Sequence, residues 1–353
     1  MRCTAAGPGV ERGGRWRKDQ GVKVFITGSN GFVGSNLCRH FLARGWEVHG
    51  LVRTTSDLHF LEGLEVRLVF GDLGSAGSFA VPEGVDYIIH AAAITSDTAD
   101  DATCRRNIFL SAVNLAAKIE GMTLPPKRLV VISTALALGF AAADISEANP
   151  GRPADFLPYT RSKIEAERHF LSRWREGRLP VVVLRPGDIF GPCDRVTSAR
   201  ILRSRERGVP LVVGRGRNRF GYCYVGNLSQ AVELALLREG VEGNAYTVTN
   251  GEVPTWRAFF TALQNGLGRA QRVFVPEWTA FALAGVMAGI KRIRPRYEPT
   301  LTYYRVKRVV TETTYDISRT VADLGYRPDD DWERQVEEIL DWYLRERRNG
   351  SIE

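Results

Sequence analysis

Cysteine is scarce and scattered. The 353 residues hold five, Cys3, Cys38, Cys104, Cys193 and Cys223, and no CxxC pair. That spacing excludes a disulfide framework and a zinc ribbon. It fits a reduced, cytoplasmic setting in which isolated thiols serve as small buried hydrophobes. No metal is expected. Long apolar runs are also absent: the best stretch, residues 278–290, is thirteen mostly apolar residues, short of a bilayer span. The first twenty residues are Gly- and Arg-rich without the apolar stretch of a signal peptide, and read as a disordered extension. No nucleic-acid module accompanies the positive charge, so nucleic acid is not an expected partner.

What is present is ordinary globular composition, 44% hydrophobic and 25% charged, with a net charge of +8. The charge is uneven. Residues 200–219 carry seven Arg against one Glu, and residues 291–308 carry seven Lys or Arg against one Glu. Such clusters attract an anionic cofactor, an acidic substrate or a membrane surface, or simply form a solvated face.

Along the chain, residues 21–28 (GVKVFITG) form an apolar run ending in glycine, the pattern of a buried parallel strand. A helix is predicted over 31–44, then strands at 47–53, 66–70 and 85–90. A helix at 103–120, a strand at 128–133, a helix at 159–175 and a strand at 180–184 follow. Alternation at this spacing predicts an α/β fold with a doubly wound parallel Rossmann sheet. After Arg185 the regularity fades, apart from a last helix at 332–345. The division expected is a cofactor-binding domain at 21–190, completed by about 222–250. A smaller C-terminal substrate-binding lobe comes from 191–221 and 251–353.

The first strand runs into Thr27, Gly28, Gly31 and Gly34 (TGSNGFVG). Glycines at these intervals let backbone turn tightly and approach a pyrophosphate at a helix N-terminus. The turn nominates Gly28, Asn30, Gly31, Phe32, Val33 and Gly34 as dinucleotide contacts. At the end of the second strand, where an acidic residue would accept a ribose diol, the chain has Arg53 followed by Thr54, Thr55 and Ser56. A cation with hydroxyls suits a 2′-phosphate, so NADP is expected in preference to NAD. An Arg53 that is solvated or stacked on adenine would leave NAD.

TGxxGxxG resembles the short-chain dehydrogenase/reductases, and four further landmarks follow in that family's order. These are Gly71-Asp72-Leu73, His90 with Ala91, Ala92 and Ala93, the YxxxK pair Tyr159 and Lys163, and Arg185-Pro186 through Pro192, similar to the RPxxVYGP of the extended branch. The resemblance implies that Asp72 and Leu73 meet the adenine, that Ala91–Ala93 and Pro186 flank the cofactor, and that Lys163 holds the nicotinamide ribose. On a helix, Tyr159 and Lys163 share a face, and a neighbouring ammonium favours the phenolate, so Tyr159 is the expected general acid/base. Thr134 is chosen as the third catalytic residue, with Ser133 in reserve. Asn107 resembles a family Asn whose role is structural or functional. The resemblance also implies a homodimer built on the helices at 103–120 and 159–175.

Within the extended branch, sugar-nucleotide members carry an Arg-Asp pair that Phe220 and Gly221 replace here. Tyr224-Val225-Gly226-Asn227 is similar to the YVxN of 3-beta-hydroxysteroid dehydrogenase-like proteins, and the stretch from Leu51 to Leu73 resembles dihydroflavonol reductase-like proteins. The expectation is an NAD(P)-dependent oxidoreductase interconverting a secondary alcohol and a ketone on a fairly apolar small molecule. The alternatives are an NAD-dependent sugar-nucleotide epimerase and a cofactor-binding regulatory protein without turnover. Residues 278–296 are read as a core helix, as a lid carrying Phe281, Leu283 and Met287 over the substrate, or as a weak contact with an anionic membrane surface.

Overall fold

The computed structural model describes residues 21–206, 212–268, 274–294 and 297–352; the extension expected at residues 1–20 lies outside them. The strands are β1 (Lys23–Thr27), β2 (Glu47–Val52), β3 (Val66–Phe70), β4 (Tyr87–His90), β5 (Arg128–Ile132), β6 (Val181–Pro186), β7 (Asp188–Phe190), β8 (Val212–Val213), β9 (Tyr222–Tyr224), β10 (Ala245–Val248) and β11 (Phe274–Val275). The helices are α1 (Phe32–Ala43), α2 (Asp101–Cys104), α3 (Ser111–Glu120), α4 (Pro158–Arg175), α5 (Ser198–Glu206), α6 (Val225–Leu237), α7 (Trp256–Gly266), α8 (Glu277–Ile293), α9 (Tyr303–Val310), α10 (Ser318–Leu324) and α11 (Trp332–Arg348).

Seven strands form one sheet in the order β3-β2-β1-β4-β5-β6-β10, and every pairing is parallel. This is the α/β Rossmann sheet expected. Its central strands are buried on both faces because helices cover both, while the edge strand β3 stays partly exposed. On one side Leu37, Cys38 and Phe41 of α1 pack with Leu228, Ala231 and Ala235 of α6. On the other, Leu115 and Ile119 of α3 pack with Ala166 and Phe170 of α4. Strand order reverses between β1 and β4, which opens a crevice at their carboxyl ends, the place where such sheets take ligands.

The predicted helix at 103–120 is compound. A π-helical turn, Arg105–Leu110, joins α2 to α3. Its wider winding turns the side chains of Arg106 and Asn107 away from the register that a straight helix gives.

The smaller lobe has its own core. Phe190, Phe220, Trp256, Phe259, Phe260, Trp342 and Tyr343 cluster there, and the rings of Phe220 and Trp256 stack with centroids 3.8 Å apart. The chain crosses between the two parts repeatedly, since β6 leads to β7 in the lobe while α6 and β10 return to the sheet.

Candidate functional site

A cavity of about 750 Å³ opens over the carboxyl ends of β1, β2, β4, β5 and β6 and is closed from above by the lobe. One half is built from backbone. Gly28 adopts φ +70°, and a β-carbon there would come within 2.7 Å of the Ala92 Cα. At Gly34 a β-carbon would lie 2.0 Å from the Gly28 carbonyl oxygen. Gly31 donates its N–H to that same oxygen at 3.0 Å. The turn therefore folds onto itself so tightly that only glycine fits, and it leaves the first N–H groups of α1 facing the cavity.

Around this cradle the wall contains Asn30, Gly31, Phe32, Val33, Arg53, Asp72, Leu73, Ala91, Ala92, Ala93, Asn107 and Pro186. All the predicted dinucleotide contacts except Lys163 thus share one cavity. The crevice, the glycine cradle and the helix N-terminus together fit a dinucleotide. Several of these groups are already engaged. Asn30 Nδ2 donates to the Asp57 carbonyl, Asp72 Oδ1 accepts from the Gly74 N–H at 2.9 Å, and Asn107 Nδ2 donates to the Thr103 carbonyl.

The reactive corner sits where β5 meets α4. Pro158 opens α4, its preset φ suiting the first helical position, and Tyr159 and Lys163 follow one turn apart. The Tyr159 hydroxyl is hydrogen-bonded to Thr134, while burial raises its pKa above the usual tyrosine value. Ser133 faces elsewhere: its Oγ donates to Glu167 Oε2 at 2.7 Å. Of the two hydroxyls weighed, Thr134 is the one brought to the tyrosine.

Lys163 departs from expectation. Its side chain is buried, 7% exposed, and Nζ donates to the Ile132 carbonyl at 2.8 Å. Burial pushes its pKa down to about 8, opposed by the Glu167 carboxylate. The charge that pulls the Tyr159 phenol back toward ionisation is instead Arg308. Lys163 lies behind the cavity wall, beside a chain of charges that runs from buried Glu167 to Arg185 (2.5 Å) and out to the exposed Glu147 (2.6 Å).

Motif reading missed the half of the cavity away from the glycine cradle. Arg308 of α9 is 8% exposed; it pairs with Asp188 and donates to the Tyr304 hydroxyl at 2.7 Å. Arg305 pairs with Asp97 at 2.5 Å. Arg200 of α5 lines the same space, half-buried, and has no hydrogen bond or ion pair among the described residues. The only sequence signal was the four-residue step from Tyr304 to Arg308, hidden inside a basic cluster that resembled a solvated face.

The lid reading is corrected. Phe281, Leu283 and Met287 do not line the cavity. Phe281 packs on Tyr303, Leu283 is 43% exposed, and Met287 Sδ accepts from the Leu301 N–H. A helix that looked apolar enough to cover a substrate turns that surface outward, and charged residues of α5 and α9 take the place over the crevice. This half of the cavity therefore carries Arg200, Arg305 and Arg308 with Asp97, Asp188 and Asp194.

Comparison with known proteins agrees with this architecture. The model of the NAD dependent epimerase/dehydratase family matches residues 24–249. The chain is 30% identical over 322 residues to a 2-alkyl-3-oxoalkanoate reductase of Shewanella oneidensis, covering 86% of this chain and 81% of the relative. It is 28% identical over 311 residues to a 4-hydroxy-2-methyl-3-oxo-4-farnesyl-3,4-dihydroquinoline-1-oxide ketoreductase of Stigmatella aurantiaca, covering 86% and 92%. The solved UDP-glucuronic acid 4-epimerase of Bacillus cereus in complex with NAD superimposes with a TM-score of 0.71 at 20% identity, over 93% of this chain and 98% of that one.

The NADP preference is overturned. The similar solved structures with a named dinucleotide hold NAD. Arg53 lines the cavity with its side chain exposed, and its backbone N–H donates to Ser56 Oγ at 3.1 Å, drawing that hydroxyl toward the strand end. Family description and solved neighbours also sit nearer to the epimerase alternative than to the apolar-alcohol reading. The chemistry is nicotinamide-dependent oxidoreduction or epimerisation of a small molecule. Cradle, reactive corner and whole-length similarity converge: this chain is an enzyme of the NAD dependent epimerase/dehydratase family, an extended short-chain dehydrogenase/reductase on its sterol- and dihydroflavonol-reductase-like side.

Proposed function

We propose that the chain oxidises a secondary alcohol on a polar, anion-bearing substrate of the sugar-nucleotide class, with NAD as cofactor, and restores it with the opposite configuration. The observation that carries this reading is the charged substrate half of the cavity, above all the unpaired Arg200 beside Arg305 and Arg308. A half-buried guanidinium that feels Asp97 and Asp194 only at a distance, with no ion pair of its own among the described residues, favours an anionic ligand, and an apolar substrate would leave it without a direct partner.

The cradle from Gly28 to Gly34, with Ala91–Ala93 and Pro186, would hold the dinucleotide, which when bound supplies the hydride acceptor. Tyr159 removes the hydroxyl proton and later returns it. Thr134, already hydrogen-bonded to that phenol, binds the same substrate oxygen and keeps it within reach. Arg308, held by Asp188 and Tyr304, supplies the positive field that favours the phenolate as the proton leaves. Lys163 fixes the end of β5 through the Ile132 carbonyl, which keeps Thr134 in register with Tyr159.

The curated relatives support a second reading, net reduction of a ketone, since two of them are named as reductases of 3-oxo compounds. Arg200 would then meet a carboxylate of the substrate. One experiment separates the two. The NAD-loaded protein is given sugar nucleotides, and in parallel the protein with added NADH is given 3-oxo acids, while product configuration and reduced-nicotinamide absorbance are followed. Epimerised sugar without net absorbance change supports the first reading. Stoichiometric consumption of reduced cofactor with a 3-oxo acid, and inertness toward sugar nucleotides, overturns it.

A further inference from the structure

Helix α8 buries remarkably little of itself for so apolar a segment. Only Ala280 and Ala284 are fully covered, at 0% and 2% exposure, where they pack with Val213 and Val306. Met287 and Lys291 continue that narrow stripe, half-buried. Phe281 packs beside the stripe on Tyr303, and the opposite side of the helix faces outward. Trp278 is 74% exposed, Val286 61% and Ile293 83%, with Leu283 and Ile290 between them and Tyr303 of α9, 68% exposed, alongside. Gly285 and Gly289 also open onto empty space, for a β-carbon at either would meet nothing within 4 Å. No charged residue interrupts the stretch from Trp278 to Ile290. Scattered exposed apolar residues are ordinary, but a contiguous face on one helix marks an interaction surface.

The chemistry at its end names the partner. Lys291, Arg292 and Arg294 follow at once. Lys291 is paired with Glu298 at 2.9 Å, whereas Arg292 and Arg294 are exposed and have no ion pair among the described residues. An apolar face bordered by unpaired cations complements a surface that is apolar beneath and anionic on top. A second copy packed through this face would offer these cations a single carboxylate per helix, the exposed Glu277 at the opposite end, whereas an anionic lipid surface meets both at once. No helix among the described residues is long and apolar enough to cross a membrane, so α8, about 25 Å long at ~1.5 Å per residue, suits lying in the plane.

We infer that α8 docks this enzyme on an anionic lipid surface, with Trp278, Val286, Ile290 and Ile293 entering the acyl boundary and Arg292 and Arg294 meeting headgroup phosphates. Because α8 packs on α9, whose Tyr304, Arg305 and Arg308 line the cavity, docking holds the substrate entrance close to the bilayer. The inference does not depend on the sugar-nucleotide reading.

The test is flotation of the full-length, NAD-loaded protein with vesicles of phosphatidylcholine alone or mixed with phosphatidylglycerol, at low and high salt. Wild type is compared with Val286→Asp, with Ile293→Asp, and with the double variant Arg292→Glu/Arg294→Glu. NAD titration and circular dichroism verify that each is folded; none of these residues lines the cavity. Flotation with phosphatidylglycerol vesicles, weakened by salt and reduced about tenfold or more in each variant, is the expected result. Absence of flotation, or equal binding to neutral vesicles, overturns the inference. So does a dimer mass by light scattering that falls to a monomer in Val286→Asp without any vesicle binding, because the face then belongs to a second copy.

Discussion

Glu167→Gln tests how the reactive corner is held. Glu167 is 5% exposed. It accepts from Ser133 Oγ at 2.7 Å and from Arg185 Nε at 3.1 Å. Glutamine keeps the shape, removes the charge and sets a donor among donors. Removing one partner of a buried ion pair costs ~3–5 kcal/mol. Arg185 keeps Glu147 at 2.6 Å, a carboxylate 53% exposed, so the loss should fall below that range, about 2–3 kcal/mol. Urea unfolding at constant slope measures it. A second readout separates positioning from bulk stability. Lys163, pushed down to about 8 by burial, is held there by Glu167. Without that carboxylate its ammonium is lost at lower pH, so the alkaline limb of the pH–rate profile moves down while the acid limb stays. Glu167→Asp should restore part of both. A stability change under about 0.5 kcal/mol, together with an unmoved alkaline limb, would refute the reasoning.

Tyr159→Phe is expected to leave NAD affinity intact and lower turnover by about 10²–10⁴-fold, measured on whichever substrate the panel identifies. Gly34→Ala places a methyl 2.0 Å from the Gly28 carbonyl oxygen. It should cost about 2–3 kcal/mol in unfolding and abolish NAD binding by calorimetric titration. His90, buried and hydrogen-bonded to Thr27 Oγ1, has its pKa pushed down from 6.5 to about 3. Between those values the unfolded chain binds a proton that the folded chain refuses, so stability falls as pH drops, by up to about 1.4 kcal/mol per pH unit. His90→Gln should flatten that acid limb in a series of denaturation curves. Light scattering of the full chain is expected to give a dimer; a monomer at micromolar concentration would count against pairing through α3 and α4.

What could be read from the sequence was local in origin. The run from Lys23 to Thr27, the glycines at 28, 31 and 34, and the Tyr159–Lys163 step each declare themselves within a few residues, because backbone turn and helix period are short-range constraints. The Arg308–Asp188 pair joins residues 120 positions apart, and nothing near either residue announces the other. Arg200 and Arg305 were lost among basic neighbours for the same reason: sequence displays charge but not which way it points. Arg53 misled in the opposite direction. Its type suited a phosphate, while the fold left it exposed and turned Ser56 back on the strand end. Residues 278–290 were legible as helix, yet which face it buries depends on β8 and α9, distant in sequence.

The placement of β10 has a consequence for how the protein is made. The sheet's last strand pairs with β6, but nearly sixty residues separate them, among them α5, β8 and β9 of the lobe. During synthesis β6 therefore waits with a bare row of N–H and C=O groups until the chain has left the ribosome past Val248. An apolar edge left open in that interval (Val181, Val182, Val183 and Leu184, all 0% exposed in the finished fold) is a template for pairing with another nascent chain. Splitting the gene after β6 would turn that brief exposure into a permanent one, so the two halves should be produced as a single polypeptide even when only the cofactor site is wanted.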